Sequence, residues 1–266
     1  MPPTDETLLL IAGLVARLGH LNAAAALAGT RRTLWEPSAY RLWFHLSRLS
    51  TPRLGRTRLM WAARGGDAAR VALLLLAGAS PSRADWRGST ALHLASEAGH
   101  VGAVRALLGA GAAVDASDAC GQCALILAAA GGHAATVRVL LAAGASPSAA
   151  DSRGWSALTW AAWGGRGDAV AELLRGGADA VSESALGDSP LLCAAQAGHR
   201  AVALALVAAG GSAHARSRYV KSAVEAARLH GHARLADALE EAVEAAAAKQ
   251  HAPPRWLRLF PSRGRT

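Results

Sequence analysis

Five glycines, Gly55, Gly88, Gly121, Gly154 and Gly187, stand 33 residues apart along this chain. Each opens a variant of one phrase: "GRTRLMWAARGGD", "GSTALHLASEAGH", "GQCALILAAAGGH", "GWSALTWAAWGGR" and "GDSPLLCAAQAGH". A second apolar run ending at glycine follows, as in "VRALLGAGA", "VRVLLAAGA" and "VAELLRGGA". A unit this short cannot bury its own apolar faces. Several must stack, so that each covers its neighbours and the core runs the length of the stack.

Within one period the order of residue types specifies a helix pair. The opening glycine permits a turn with positive φ. The hydroxyl shortly after it, at Thr57, Thr90, Ser156 or Ser189, can cap a first helix. Cys123 takes that place in the third unit and should cap poorly. Gly66, Gly99, Gly132, Gly165 and Gly198 then end the short inner helix. An outer helix follows with paired apolar residues at Leu74–Leu75, Leu107–Leu108, Leu140–Leu141, Leu173–Leu174 and Leu206–Val207. The loop back, such as "GASPSRADWRG", forms a projecting turn. A sixth unit is atypical: Val220 replaces the glycine, and Arg228, Arg234, Asp237, Glu240 and Glu241 give it the polar outside of a C-terminal cap.

The phrase "TALHLA" at 90–95 closely resembles the ankyrin signature T-P-L-H-x-A, with "CALILA", "SALTWA" and "SPLLCA" as looser versions at the same phase. The resemblance covers about residues 53–240. It implies an all-α ankyrin-repeat solenoid of helix-turn-helix repeats with short projecting β-turns, preceded by a small N-terminal helical unit. It also implies a non-enzymatic adaptor or scaffold that binds a protein partner in its concave groove and at its turn tips. Leu158, Ala161 and Ala162 and their equivalents would pack between repeats. The groove pairs would be Trp61/Arg64, Leu94/Glu97, Leu127/Ala130, Trp160/Trp163 and Cys193/Gln196. Trp86 and Trp155 fall in or beside the projecting turns.

The chain has eight Trp but only two Phe and two Tyr. The five Trp of the repeats all occupy these surface slots. Tryptophan is enriched where partners are gripped, so the stretch "GWSALTWAAWGG" is expected to be the centre of a binding groove. The competing reading has the rings fold down and fill gaps between alanine-rich helices. On the first reading, replacing Trp160 and Trp163 by Ala should abolish capture at little cost in melting temperature.

Residues 1–52 do not keep the period and read as helices over 5–18, 21–35 and 38–49. "TDETLLLIAGLVARLG", "LNAAAALAGTRR" and "EPSAYRLW" resemble successive parts of an F-box, the motif that joins adaptors to cullin-type ubiquitin ligases. The Leu-Pro expected before Glu6 is replaced by Thr4-Asp5, and the segment between Arg31 and Pro37 is short. On that resemblance Leu8, Ile11, Leu14, Pro37 and Tyr40 would form the docking surface for the ligase linker protein, and the chain would recruit substrates. The alternative is a plain helical cap for residues 53–248.

Charge limits the partners further. Residues 1–58 carry eight Arg against three acids, and residues 249–266 carry five basic residues and no acid. The middle is close to neutral, so the net +9 belongs to the ends. The tail 249–266 reads as basic and disordered. Binding of nucleic acid or acidic surfaces through these ends is the rival function; it needs cations clustered on one face. Three cysteines are too few for a disulfide scaffold, and no apolar run reaches membrane-spanning length. The expectation is an intracellular protein, cytoplasmic or nuclear.

No motif calls for a cofactor, a metal or catalysis. "CGQC" at 120–123 has C-x-x-C spacing but no second pair to complete a metal site. His100, His133, His199 and His232 each follow an inner-helix glycine, and His93 belongs to the signature, so all five read as framework.

Overall fold

The computed structural model describes residues 55–211 and 222–250. Among these the regular elements are helices, paired in chain order. The inner helices are α1 (Arg58–Arg64), α3 (Ala91–Glu97), α5 (Ala124–Gly131), α7 (Ala157–Trp163), α9 (Pro190–Gln196) and α11 (Ala223–Leu229). Each precedes an outer helix: α2 (Ala68–Leu76), α4 (Val101–Gly109), α6 (Ala134–Ala142), α8 (Gly167–Arg175), α10 (Arg200–Ala208) or α12 (Ala233–Gln250). Inner helices pack on the inner helices before and after them, and outer helices do likewise. The result is the expected all-α solenoid. The F-box-like phrases, the residues proposed for ligase docking and the basic tail from 251 onward lie outside the described residues.

Small side chains set the inter-repeat spacing. Leu59, Ala62 and Ala63 are buried in α1, and the same triplet recurs as Leu125, Ala128, Ala129 in α5, Leu158, Ala161, Ala162 in α7 and Leu191, Ala194, Ala195 in α9. One leucine fills the gap between neighbours while two alanines let the backbones approach closely, giving the dense interior that folded proteins require. In the outer helices Leu74, Leu107, Leu140, Leu173 and Leu206 are buried, and Leu75, Leu108, Leu141, Leu174 and Val207 pack against the same core from its edge.

The caps mostly follow the sequence. The hydroxyls of Thr57, Ser156 and Ser189 accept the backbone N–H of Met60, Thr159 and Leu192. Cys123 makes no side-chain cap. Thr90 differs because His93 takes over its role: Thr90 N–H donates to His93 Nδ1 at 3.1 Å, and the Thr90 hydroxyl lies 2.8 Å from the same nitrogen. Nε2 of His93 lies 3.1 Å from the Gln122 carbonyl. A carbonyl can only accept, so Nε2 carries the proton and Nδ1 is left as an acceptor. Burial holds His93 below its ordinary pKa of 6.5 despite the opposing pull of Asp118.

Three further histidines join one repeat to the one before it. Nε2 of His100, His133 and His199 donates to the carbonyls of Arg64, Glu97 and Trp163, each at 3.0 Å. In the fourth repeat Arg166 substitutes, its Nε reaching the Ala130 carbonyl at 3.3 Å. Each bond satisfies a carbonyl left open at an inner-helix C-terminus. Glycine is essential beside these rings: a Cβ on Gly165, whose φ is +66°, would lie 2.5 Å from the His199 ring.

Candidate functional site

One face of the solenoid is built from what each inner helix leaves uncovered. In α1 the exposed side chains are Arg58, Trp61 and Arg64; in α3 only Glu97 is exposed; in α7 Trp160 is half-buried and Trp163 exposed. Leu127 and Ala130 of α5 and Gln196 of α9 are partly exposed. Leu94 departs from the expectation. It is only 3% exposed and belongs to the continuous core, so it is framework rather than presented surface. Cys193, its equivalent in the fifth repeat, is likewise buried. Leu127, the same residue type at the same slot, stays partly exposed, so depth here varies from repeat to repeat.

The turns beside this face are each held by one short polar side chain, a carboxylate at Asp85, Asp118 and Asp151 and a hydroxyl at Ser184. In the turn beginning at Asp151, the Gly154 N–H donates to the Asp151 carbonyl at 2.8 Å and the Asp151 N–H donates to the Trp155 carbonyl at 3.0 Å. Oδ1 of Asp151 accepts the N–H groups of Arg153 and Trp155, both at 2.9 Å. Asp85 and Asp118 hold their turns by the same two-bond pattern, and the Ser184 hydroxyl does so in the next turn. Successive tips are tied together: Ala119 N–H donates to the Arg87 carbonyl at 2.8 Å, and Ser152 N–H to the Cys120 carbonyl at 3.0 Å. The tie needs glycine at 121, where a Cβ would lie 2.8 Å from Ser152 N.

The outer oxygen of that carboxylate distinguishes the repeats. In the fourth repeat Oδ2 of Asp151 accepts the indole N–H of Trp160 at 3.0 Å. Trp155 meets Trp160 edge to face with ring centroids 5.0 Å apart, and Trp163 lies 6.0 Å from Trp155. The indole N–H of Trp155 donates to Oδ2 of Asp188 at 3.2 Å, and the Arg153 guanidinium sits 5.8 Å from the Trp160 ring centre. Edge-to-face aromatic pairs are worth about 1 kcal/mol beyond the area they bury. The three rings are therefore one preorganised cluster joining the turn to the inner helix.

The sequence grouped Trp160 with Trp163 but left Trp155 to the turns. Asp188, one period beyond Trp155, was the available signal for its anchoring. Trp160 also packs against the core, so this ring both fills a gap and forms part of the surface. Trp163 is 44% exposed and Trp86, at its tip, 68% exposed.

The remaining candidates have little reactive chemistry. Burial raises the Cys123 thiol, and burial with nearby Asp188 pushes Cys193 up to about 12. Both are thiols rather than thiolates at neutral pH, leaving Cys120 as the exposed member of "CGQC". Among the described residues there is no cluster of three potential metal ligands, and no helix is long and apolar enough to cross a membrane.

A family model described as ankyrin repeats matches in three copies, over residues 14–118 and 103–184. The match begins inside the segment read as a separate N-terminal unit, and it stops before α9–α12, which continue the same pairing. No curated protein matches the chain.

Proposed function

Because the chain belongs to the ankyrin-repeat family, whose repeats are protein–protein interaction modules, we propose that it is an adaptor that captures a protein partner on the cluster of Trp155, Trp160 and Trp163. The observation that carries this reading is the combination of exposure and rigidity at these rings. Trp155 and Trp160 are each fixed by an indole N–H bond to an aspartate, so a partner would pay little entropy to order them. Trp163 adds an exposed aromatic face beside them. Aromatic anchors already held in place are what binding hot spots are made of. Glu97, Leu127 and Gln196 would form the rim of the same groove, and Trp86 a separate contact at a tip.

A photo-reactive amino acid at position 163, compared with one at Arg138 on outer helix α6, tests the proposal in the native cell. Crosslinks to a discrete partner from 163 and not from 138 support it. Equal labelling from both positions, or none from either, refutes it.

The proposed setting is the cytoplasm or nucleus, where the three cysteines would stay reduced. A narrower form makes the adaptor a substrate-recruiting subunit of a cullin-type ligase, and it rests on the sequence phrases of residues 4–43 alone. Affinity purification of the full chain against a chain lacking residues 1–50 decides it. A ligase linker protein recovered only with the full chain supports the narrower form; identical partner lists without a ligase subunit reject it.

A further inference from the structure

The first repeat presents a face of different chemistry from the tryptophan cluster. Arg58, Trp61 and Arg64 are the exposed stripe of α1, and Arg83, Trp86 and Arg87 are exposed on the turn beside it. Asp85 is the one acid in residues 55–64 and 80–90. Its side chain is fully buried and neutralised by Arg56, whose Nε donates to Oδ2 at 3.2 Å. The same guanidinium lies 5.7 Å from the Trp61 ring centre. Arg56 thus joins the inner helix to the turn, and the two halves make one surface.

Clustering sets this surface apart: Arg105, Arg153, Arg166, Arg200 and Arg234 also lack an ion pair among the described residues but are spread along the other repeats. Arg70, Arg138, Arg175 and Arg228 pair with Asp67, Glu172, Glu172 and Glu240 respectively. None of Arg58, Arg64, Arg83 or Arg87 pairs with a carboxylate of the described residues. Guanidinium groups that no described carboxylate pairs, set beside exposed indoles, suit carboxylates flanking an apolar side chain: the fork binds the carboxylate, and the ring takes the apolar group.

We propose that this surface docks a short acidic segment of a partner protein, as a second site independent of the fourth-repeat reading. The charge along the solenoid limits its length. Glu97 takes the place of Arg64 in the next repeat, and Asp115 and Asp118 stand in the following turn. An anion is attracted at the first repeat and meets acidic groups at the second and at the turn that follows it. That pattern fits a local acidic segment better than a nucleic-acid strand, which needs a cationic groove that tracks its backbone.

The test is selection from a random 12-residue peptide phage library on the immobilised full chain, followed by fluorescence anisotropy of the selected peptides. The expected winners combine several Asp or Glu with an aromatic or large aliphatic residue. Their affinity should fall tenfold or more in the variant Arg58→Gln, Arg64→Gln, Arg83→Gln, Arg87→Gln, which removes only exposed side chains. It should also weaken between 50 and 200 mM salt, as a charge-driven contact must, and stay unchanged in Trp163→Ala. Neutral or basic winners, affinity unaffected by the four substitutions, or tighter binding of an oligo-dT 20-mer to the same arginines would each overturn the proposal. Loss of peptide binding in Trp163→Ala alone would transfer these peptides to the fourth repeat and overturn the second site.

Discussion

Trp61 and Trp160 occupy the same slot of the repeat, three periods apart, yet their surroundings give the rings different work. Trp160 packs on the core, donates to Asp151 and is abutted by Trp155. Trp61 is 45% exposed, with the Arg56 guanidinium near its ring. The two turn carboxylates diverge in the same way: Asp85 uses its outer oxygen to hold Arg56, and Asp151 uses it to hold Trp160. The framework is shared, but the two carboxylates stand on opposite sides of these rings: Asp151 precedes the helix of Trp160 and holds its indole, whereas Asp85 follows the helix of Trp61 and holds Arg56.

The sharpest way to break this comparison is to truncate both rings. Trp160→Ala should cost about 3 kcal/mol, since it removes core packing and leaves an Asp151 oxygen unpaired. Trp61→Ala should cost no more than about 0.5 kcal/mol. Urea melts of the two variants check the difference, and equal losses would show that the slot rather than its surroundings sets the role. Because Trp160 packs against the core and Trp163 is exposed, the small stability cost expected for removing both is now predicted for Trp163 alone.

Next in size is the carboxylate itself. Asp151→Ala strands two backbone N–H groups and an indole N–H, for about 2 kcal/mol or more; Asp118→Ala strands two backbone N–H groups in a more exposed turn, for about 1 kcal/mol. Equilibrium unfolding should rank them in that order.

A smaller pair of effects separates the two roles of serine. Ser156 caps α7, so Ser156→Ala should lose about 1 kcal/mol. Ser96 sits at the alanine slot of α3, buried with its hydroxyl unpartnered, so Ser96→Ala should gain up to about 1 kcal/mol. Calorimetry should show melting temperatures moving in opposite directions.

The pH dependence follows from the second repeat. Folding depresses the His93 pKa, so the unfolded chain takes up the proton first as pH falls. Stability is full above the ordinary value of 6.5 and declines below it toward the folded pKa. Melts recorded from pH 7.5 to 5 should show this decline, and His93→Asn should flatten that contribution while lowering stability throughout.

How much was legible in the sequence follows the same division. The glycine period, the Leu-Ala-Ala triplets and the histidine after four of the six inner helices were readable because each repeat meets a similar neighbour, so one unit predicts the next. Leu94 was misplaced because slot position predicts direction but not depth, which varies from repeat to repeat. Trp155 was assigned to a turn because the backbone there is a turn; its contact with two inner-helix rings depends on how the tip leans over α7. The Arg56–Asp85 pair joins residues 29 apart in sequence, and no local pattern announces it.

The central claim, that the rigid aromatic cluster of the fourth repeat is where a partner is gripped, is tested most directly with Trp163→Ala. This substitution removes an exposed ring and should leave the melting temperature within about 1 °C, consistent with a surface change of a few tenths of a kcal/mol at most. Quantitative affinity capture from native cells, comparing this variant with wild type and with Ser96→Ala as a folded control, should show the specific partner depleted tenfold or more from Trp163→Ala alone. Equal recovery from all three would contradict the account and leave the cluster as packing that happens to reach the surface.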